Sequence, residues 1–229
     1  DRWMLSRIAR ARHAFDDAIN GYHFSTCADV LYDLVWRDFC DWYLEAVKPT
    51  IQEDAAQRQV LLSSLNAIAR LLHPVCPFIT EALWPHINAT GKAGLPGLEL
   101  PHSDHVSTAS WPKTDDLIDE TAEAAFERIK ELVNAIRRAR ADHDVPPKAR
   151  LTLGMTDSIR ELVDQAKPTI LSSCNLDDVA DAVTDGIQVH FGGDVLFLQG
   201  HGTELDVDSE RERLTTRIAE LEKSIGALK

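Results

Sequence analysis

The chain has 229 residues, 44% of them hydrophobic, and a formal net charge of −13. That length supports one large domain or two smaller ones with a sizeable core, and the composition is that of a soluble globular protein. A uniformly acidic surface repels nucleic acid, so the bulk charge weighs against a generic nucleic-acid binder unless the basic residues are segregated. The four cysteines, Cys27, Cys40, Cys76 and Cys174, include no C-x-x-C pair, which fits reduced thiols of an intracellular protein. No secretory leader is visible, and no apolar run approaches the roughly 20 residues of a membrane-spanning helix. Both ends are already in helical rhythm, the first as DRWMLSRIARARHAF and the last as AELEKSIGALK. Both look cut from something longer.

In chain order, Leu5, Ile8, Arg12, Phe15 and Ile19 recur at three- and four-residue steps, predicting a helix over 1–20 that Gly21 ends. A second helix is expected from Ser25 to Val47, with Pro49 as its stop. It carries two apolar stripes: Ala28, Leu31, Val35, Phe39, Trp42 and Ala46, and Tyr32, Trp36, Cys40, Tyr43 and Val47. Asp29, Asp33, Arg37, Asp41 and Glu45 form a narrow polar line, so this helix should be central to a bundle. A third helix is expected over 54–73 on Leu61, Leu65, Ile68 and Leu72, and a short one follows in FITEALWPHI. The tract 88–117, rich in Gly and Pro, reads as a seam. Beyond it come a helix over 119–142 with Phe126, Ile129, Val133 and Ile136 inward, a strand in RLTLGM, a short helix over 158–166, and two strands joined at Gly192–Gly193. This is a small α+β module. Leu214, Ile218, Leu221, Ile225 and Leu228 step by 4, 3, 4 and 3, a heptad seam barely two heptads long. The fold class is therefore mainly α: a helical bundle, then a small α+β module, then a C-terminal coiled-coil helix.

Catalytic candidates are few. Asp33, Asp38 and Asp41 could pair as carboxylates, but Arg37 stands four residues from both Asp33 and Asp41, which reads as a helix-face ion-pair line. His23 with Cys27, and His73 with Cys76, could each share a face, yet two ligands do not make a zinc site. No G-x-G-x-x-G, G-x-x-x-x-G-K-[ST] or G-x-S-x-G motif occurs. No catalytic and no metal residue is assigned. Nucleic-acid binding survives better. Arg2, Arg7, Arg10 and Arg12 face only Asp1 at the start, and Arg128, Lys130, Arg137, Arg138, Arg140, Lys148 and Arg150 outnumber the acids around them. Segregated charge lets an acidic chain present basic faces to a phosphate backbone.

The blocks DRWMLSRI (1–8), LYDLVWRDFCDWYLEAVKP (31–49), LLHPVCPFITEALWPHI (71–87) and ASWP (109–112), in that order and spacing, resemble the C-terminal part of valyl-tRNA synthetases, which are class I aminoacyl-tRNA synthetases. The resemblance covers essentially the whole chain. It implies a helical anticodon-binding domain over 1–112, a small α+β module over 113–205, and the start of a coiled-coil arm over 206–229. In that family the catalytic signatures H-I-G-H and K-M-S-K-S and the editing domain lie upstream, and neither signature occurs here. By resemblance the parent enzyme uses ATP and Mg and joins valine to its tRNA. This chain by itself is expected to need no cofactor, form no valyl-adenylate, and act in the cytoplasm. The family's helix preceding DRW and the rest of its arm are outside this sequence, which should weaken tRNA binding.

An anticodon loop offers unpaired bases that stack on flat side chains and are read at their edges. The expected contacts lie at the end of the second helix, on Trp42, Leu44 and Lys48, with Arg37 orienting nearby. Leu44 stands off both apolar stripes. In the tail, Arg211, Arg213, Arg217 and Lys223 lie off the heptad seam and could face phosphates. The partners so implied are valine tRNA and the absent catalytic domain, with no membrane. The alternatives are the corresponding region of an isoleucyl- or leucyl-tRNA synthetase, and a helical interaction module that self-associates through the heptad tail.

Overall fold

The computed structural model describes residues 1–89, 94–114, 116–181, 183, 185–200 and 215. The expected heptad tail lies outside these residues except for Thr215, which is helical. Packing divides the chain into two compact units, residues 1–133 with 162–173, and residues 134–161 with those from 174 on. Residues 113–133 thus pack with the first unit.

In the first unit, α1 (Arg2–Asn20) buries Trp3, Met4, Ile8, Ala11, Phe15 and Ala18. The stripe therefore runs through Ala11 and Ala18 rather than through Arg12 and Ile19, and Ile19 is exposed. The rod after the Gly21 turn is continuous over 24–47 but changes its winding. It comprises α2 (Phe24–Tyr32), a π-helical stretch (Asp33–Tyr43) and α3 (Leu44–Val47). At the end of that stretch the Leu44 amide donates to Phe39 O, five residues back. At Lys48 the amide returns to a four-residue step, donating to Leu44 O. Wider winding rotates the side chains away from the 3.6-residue expectation. The buried line is Cys27, Leu31, Leu34, Phe39, Tyr43 and Val47, with Asp38 buried beside it. Val35, expected inside, is only half-buried, while Tyr32 and Trp36, from the second expected stripe, face solvent.

Helix α4 (Ala55–Leu72) starts at Asp54, whose side chain accepts from the Gln57 amide at 2.9 Å. Its buried residues include Ser63, Ser64, Asn66 and Arg70, whereas Leu61, Leu65 and Leu72 are half-buried. The expected seam explains this, because it is not a free linker. Arg70 donates to Asn66 Oδ1 (2.8 Å), Ser110 O (2.9 Å) and Pro101 O (2.6 Å). The Gly94 amide donates to Ser63 Oγ at 3.3 Å. Leu98 and Leu100 join the main core, and Trp111 lies against Phe15 while donating to Asp16 at 3.0 Å. Helix α5 (Pro77–Ala89) buries Thr80, Trp84 and Ile87.

Helix α6 (Glu120–Asp142) is anchored along α1. Trp3 stacks on Phe126 with centroids 4.1 Å apart. Ser6 and Arg10 both donate to Glu123, at 2.5 and 2.6 Å. Burial pushes the Glu123 carboxyl up, but the Arg10 and Ser6 hydrogen bonds outweigh it and hold the group below its ordinary value.

The second unit has a four-stranded sheet in the order β2-β1-β4-β3, with β1 (Leu151–Met155) parallel to β2 (Leu176–Asp181) and antiparallel to β4 (Asp194–Gln199), which forms a hairpin with β3 (Ile187–Phe191). Gly192 and Gly193 both have positive φ, 57° and 94°. Two such residues in a two-residue loop match the twist of the hairpin strands. Helix α7 (Asp157–Cys174) is longer than expected. It is kinked at Ala166, and Pro168 sits just beyond the kink, where the next helical segment begins and a missing amide costs little. Strand β2 was not expected. Its alternation is weak, since Asp177, Asp178 and Asp181 dilute Leu176 and Val179.

Candidate nucleic-acid interface

The 24–47 rod brings the sequence-level candidates onto one element. Arg37 is exposed and pairs with Asp33 at 3.2 Å. No Arg37–Asp41 pair forms among the described residues, so the expected three-residue line is a single pair. Lys48 is exposed and bonds to Glu45. Leu44 is half-buried against the main core. Trp42 is half-buried too. Phe126 meets it edge-on at 6.4 Å, and Lys130 sits 5.4 Å from its ring centroid and 5.6 Å from that of Trp3. The flat face of Trp42 is thus already partnered. The tail candidates Arg211, Arg213, Arg217 and Lys223 lie outside the described residues.

The same rod displays rings that periodicity assigned to the interior. Tyr32 is 56% exposed and Trp36 54%, with centroids 6.4 Å apart. Tyr22 and Phe24 at the start of the rod are exposed as well and meet edge-on. Asp29, Asp33 and Asp41 are their polar neighbours in sequence, and Arg37 follows Trp36 directly. Sequence reasoning missed these rings because it allowed the rod two buried stripes, whereas Tyr32 at the end of α2 and Trp36 in the π-wound stretch both face solvent. The available signal was the surplus of apolar residues, more than one buried face can hold.

Asp38 is buried and accepts from Arg7 Nε at 2.7 Å. Burial raises its carboxyl above the ordinary value, only partly countered by Arg7. It is a structural ion pair beneath the rod and not part of a carboxylate dyad. Burial also drives the Tyr43 hydroxyl upward, and that hydroxyl donates to Asp1 Oδ1 at 2.8 Å.

The basic residues sort sharply. Arg2 pairs with Asp119, Arg7 with Asp38, Arg10 with Glu120 and Glu123, and Arg12 with Asp16. The N-terminal arginines are therefore neutralised, contrary to the reading of a free basic face. Lys113, Arg150 and Arg160 also pair with acids. Arg128, Arg138 and Lys148 are exposed and pair with no acid among the described residues. Cys27 is buried while His23 is exposed, and His73 Nδ1 lies 2.8 Å from Thr80 Oγ1. Among the described residues no three His, Cys, Asp or Glu side chains come together as a metal site, and no helix is long and apolar enough to cross a membrane. A groove of about 640 Å³ in the first unit is lined by Arg2, Leu5 and residues 116–121, and within it Arg2 bonds Asp119.

The first unit is thus a helical bundle that carries solvent-facing rings on one rod. The family described as "Anticodon-binding domain of tRNA ligase" matches residues 1–154, and the chain belongs to that family. Among curated proteins it is similar to the valine–tRNA ligase of Dechloromonas aromatica (strain RCB), 35% identical over 99% of this chain and 24% of that protein. It is also similar to the valine–tRNA ligase of Thermotoga maritima, 28% identical over 100% of this chain and 25% of that protein. Identity reaches 39% with the valine–tRNA ligase of Rhodopirellula baltica, over 65% of this chain and 15% of that protein. The chain spans about a quarter of the length of such relatives.

Proposed function

We propose that this chain is the tRNA-recognition portion of a valine–tRNA ligase, with ATP, Mg and the chemistry of valine attachment supplied by parts of the parent protein outside this sequence. The carrying observation is the family match over 1–154, together with alignment of the whole chain to valine–tRNA ligases. The cytoplasm is the expected compartment.

In this reading the 24–47 rod meets the anticodon loop. Unpaired bases stack on exposed rings, and each stacked base contributes roughly 1–3 kcal/mol. Tyr32 and Trp36 offer such rings, with the Arg37 guanidinium beside them and Leu44 and Lys48 further along. Trp42, with its face under Lys130, acts as support for this surface. The nearby Asp29, Asp33 and Asp41 disfavour phosphates but accept hydrogen bonds from base amino groups. Bases are thus read on the rod, and the RNA backbone is held elsewhere. Arg211, Arg213, Arg217 and Lys223 remain the proposed backbone contacts of the tail.

Contact with the catalytic part of the parent is the second partner proposed. The start of α5 supports it: Val75 just before the helix and Phe78, Ile79 and Leu83 on it are exposed, Phe78 to 90%. Contiguous apolar surface of this kind is uncommon unless another protein segment covers it. Self-association is the competing occupant, and sedimentation velocity of the chain separates the two. A monomer is expected, and a tight dimer dispersed by Phe78→Ser would favour self-association. A fluorescence-anisotropy titration of labelled valine tRNA, with Trp36→Ala as the comparison, tests the rod. Equal affinity of the two chains would remove the rod from the site.

A further inference from the structure

The rod over 24–47 stops at a proline, and the stop leaves the Ala46 carbonyl to be satisfied from elsewhere in the chain. The last carbonyls of a helix have no amide of their own to accept from. The amides in reach of Ala46 O are those of residues 49–51. Pro49 has none, and the Thr50 and Ile51 amides both go to Val47 O, at 3.1 and 2.9 Å. The Lys48 amide is already used on Leu44 O. The donor that meets Ala46 O lies 123 residues further on: it is Thr169 Oγ1, at 3.1 Å.

Thr169 belongs to the part of α7 beyond the kink at Ala166. Residues 162–173 of that helix pack with the first unit, and Ile170 beside Thr169 is fully buried. They lie past residue 154, where the family match ends. Helix α4 ties down the chain that follows the rod. Arg58 donates from Nη1 to Ile51 O at 3.0 Å and to Gln52 O at 2.6 Å, and Thr50 Oγ1 donates to Gln57 Oε1 at 2.7 Å. Those bonds hold residues 50–52, whereas Thr169 holds the last turn of the rod itself. That turn is α3, only Leu44–Val47, set between the π-wound stretch and Pro49. A single turn has little stability of its own. It carries Leu44, and Lys48 follows it, paired with Glu45 of the same turn.

We propose that Thr169 is a positioning residue of the tRNA surface: by fixing Ala46 O, its hydroxyl sets the direction in which the end of the rod presents Leu44 and Lys48 to the anticodon loop. This rests on the tRNA-recognition reading and extends the recognising unit past the family match into α7. Thr169 acts through the rod rather than by contact with RNA. A surface already held in its binding arrangement gives up little freedom when the RNA arrives, and binding groups stay in register only when neighbours lock them by packing and hydrogen bonds. Threonine suits the task, because its branched Cβ restricts χ1 while its hydroxyl can still donate.

The test titrates the whole chain against labelled valine tRNA, and against the same tRNA with substituted anticodon bases, by fluorescence anisotropy. T169V keeps the side-chain shape and removes the donor, and T169S keeps the donor. T80V is the control, removing a hydroxyl that donates to Cys76 O at 2.8 Å in the same unit. Circular dichroism establishes that each variant is folded at the titration temperature. For T169V we expect roughly three- to tenfold weaker binding of valine tRNA. The difference between the two RNAs should shrink, and amide exchange at Thr50 and Ile51 should speed up. T169S should restore binding to within about twofold, since its hydroxyl still donates, and T80V should bind as wild type does. Wild-type affinity and discrimination in T169V, whatever its exchange rates, would overturn the positioning role and leave the recognition reading intact. An equal loss of binding in T80V would overturn the role too, by tracing the effect to stability at large. Absence of tRNA binding by the wild-type chain would overturn both the role and the recognition reading.

Discussion

Trp36 and Trp42 stand six residues apart on one rod and should answer oppositely to truncation. Trp36 is exposed, so Trp36→Ala should change unfolding free energy by no more than about 0.5 kcal/mol while weakening tRNA binding. Trp42 packs on Phe126 and Lys130, so Trp42→Ala should cost up to about 3 kcal/mol of stability. Urea denaturation of both variants checks this, and a reversed order would contradict the assignment of exposed and supporting rings. Asp38 supplies a pH signature. Its folded pKa lies above the ordinary aspartate value, with burial as the main cause and Arg7, Lys130 and Glu127 as the facing charges. The folded state therefore keeps this proton after the unfolded chain has released it. Its contribution to stability falls as pH rises from about 4 to the raised folded value. Asp38→Asn lacks that slope, so wild type should lose stability relative to this variant across that window. A gap constant with pH would contradict the assigned shift. At this scale the sequence was legible where geometry is local, as in Asp54 capping α4. It was silent where burial depends on distant partners, since nothing in DFCDWY marks Asp38 as the partner of Arg7.

Among the elements, the π-wound segment and the packed seam departed most from expectation, and both have physical causes. The residues 24–47 were legible as one rod because Pro49 stops it and apolar residues fill it. The winding change at Asp33–Tyr43 was not, because two apolar stripes suit either period. Removing one residue tests the winding directly. Deleting Asp41, which is exposed, would turn the chain beyond it by about 100° unless the segment stayed wide, and so drive Tyr43 and Val47 out of the core. We expect loss of cooperative thermal unfolding by circular dichroism, whereas an unchanged transition would show that the wide winding positions nothing. The 88–117 tract reads as a linker from its Gly and Pro content, but Arg70 ties it to α4 through Pro101 O and Ser110 O. Arg70→Met would leave these carbonyls and Asn66 without their donor, at a cost of roughly 3 kcal/mol. It should also open the tract to limited proteolysis. A protease-resistant variant of wild-type stability would contradict the anchoring role.

At the scale of the whole molecule the chain divides into two compact units. The bundle neutralises its N-terminal arginines internally and exposes rings flanked by acids, the surface we propose for bases. The bundle was legible from helix spacing, and the four quoted blocks pointed to the family that the match over 1–154 then established. Strand β2 and the length of α7 were hidden, because acidic residues blurred one alternation and the helix continues past its kink at Ala166. The most direct measurement of the central claim is the affinity of this chain for valine tRNA and for valine tRNA with substituted anticodon bases, at low salt. The account predicts weak, salt-sensitive binding that loses discrimination when the anticodon is changed or when Trp36 and Arg37 are replaced by alanine. Equal binding of both RNAs by the unaltered chain would contradict it.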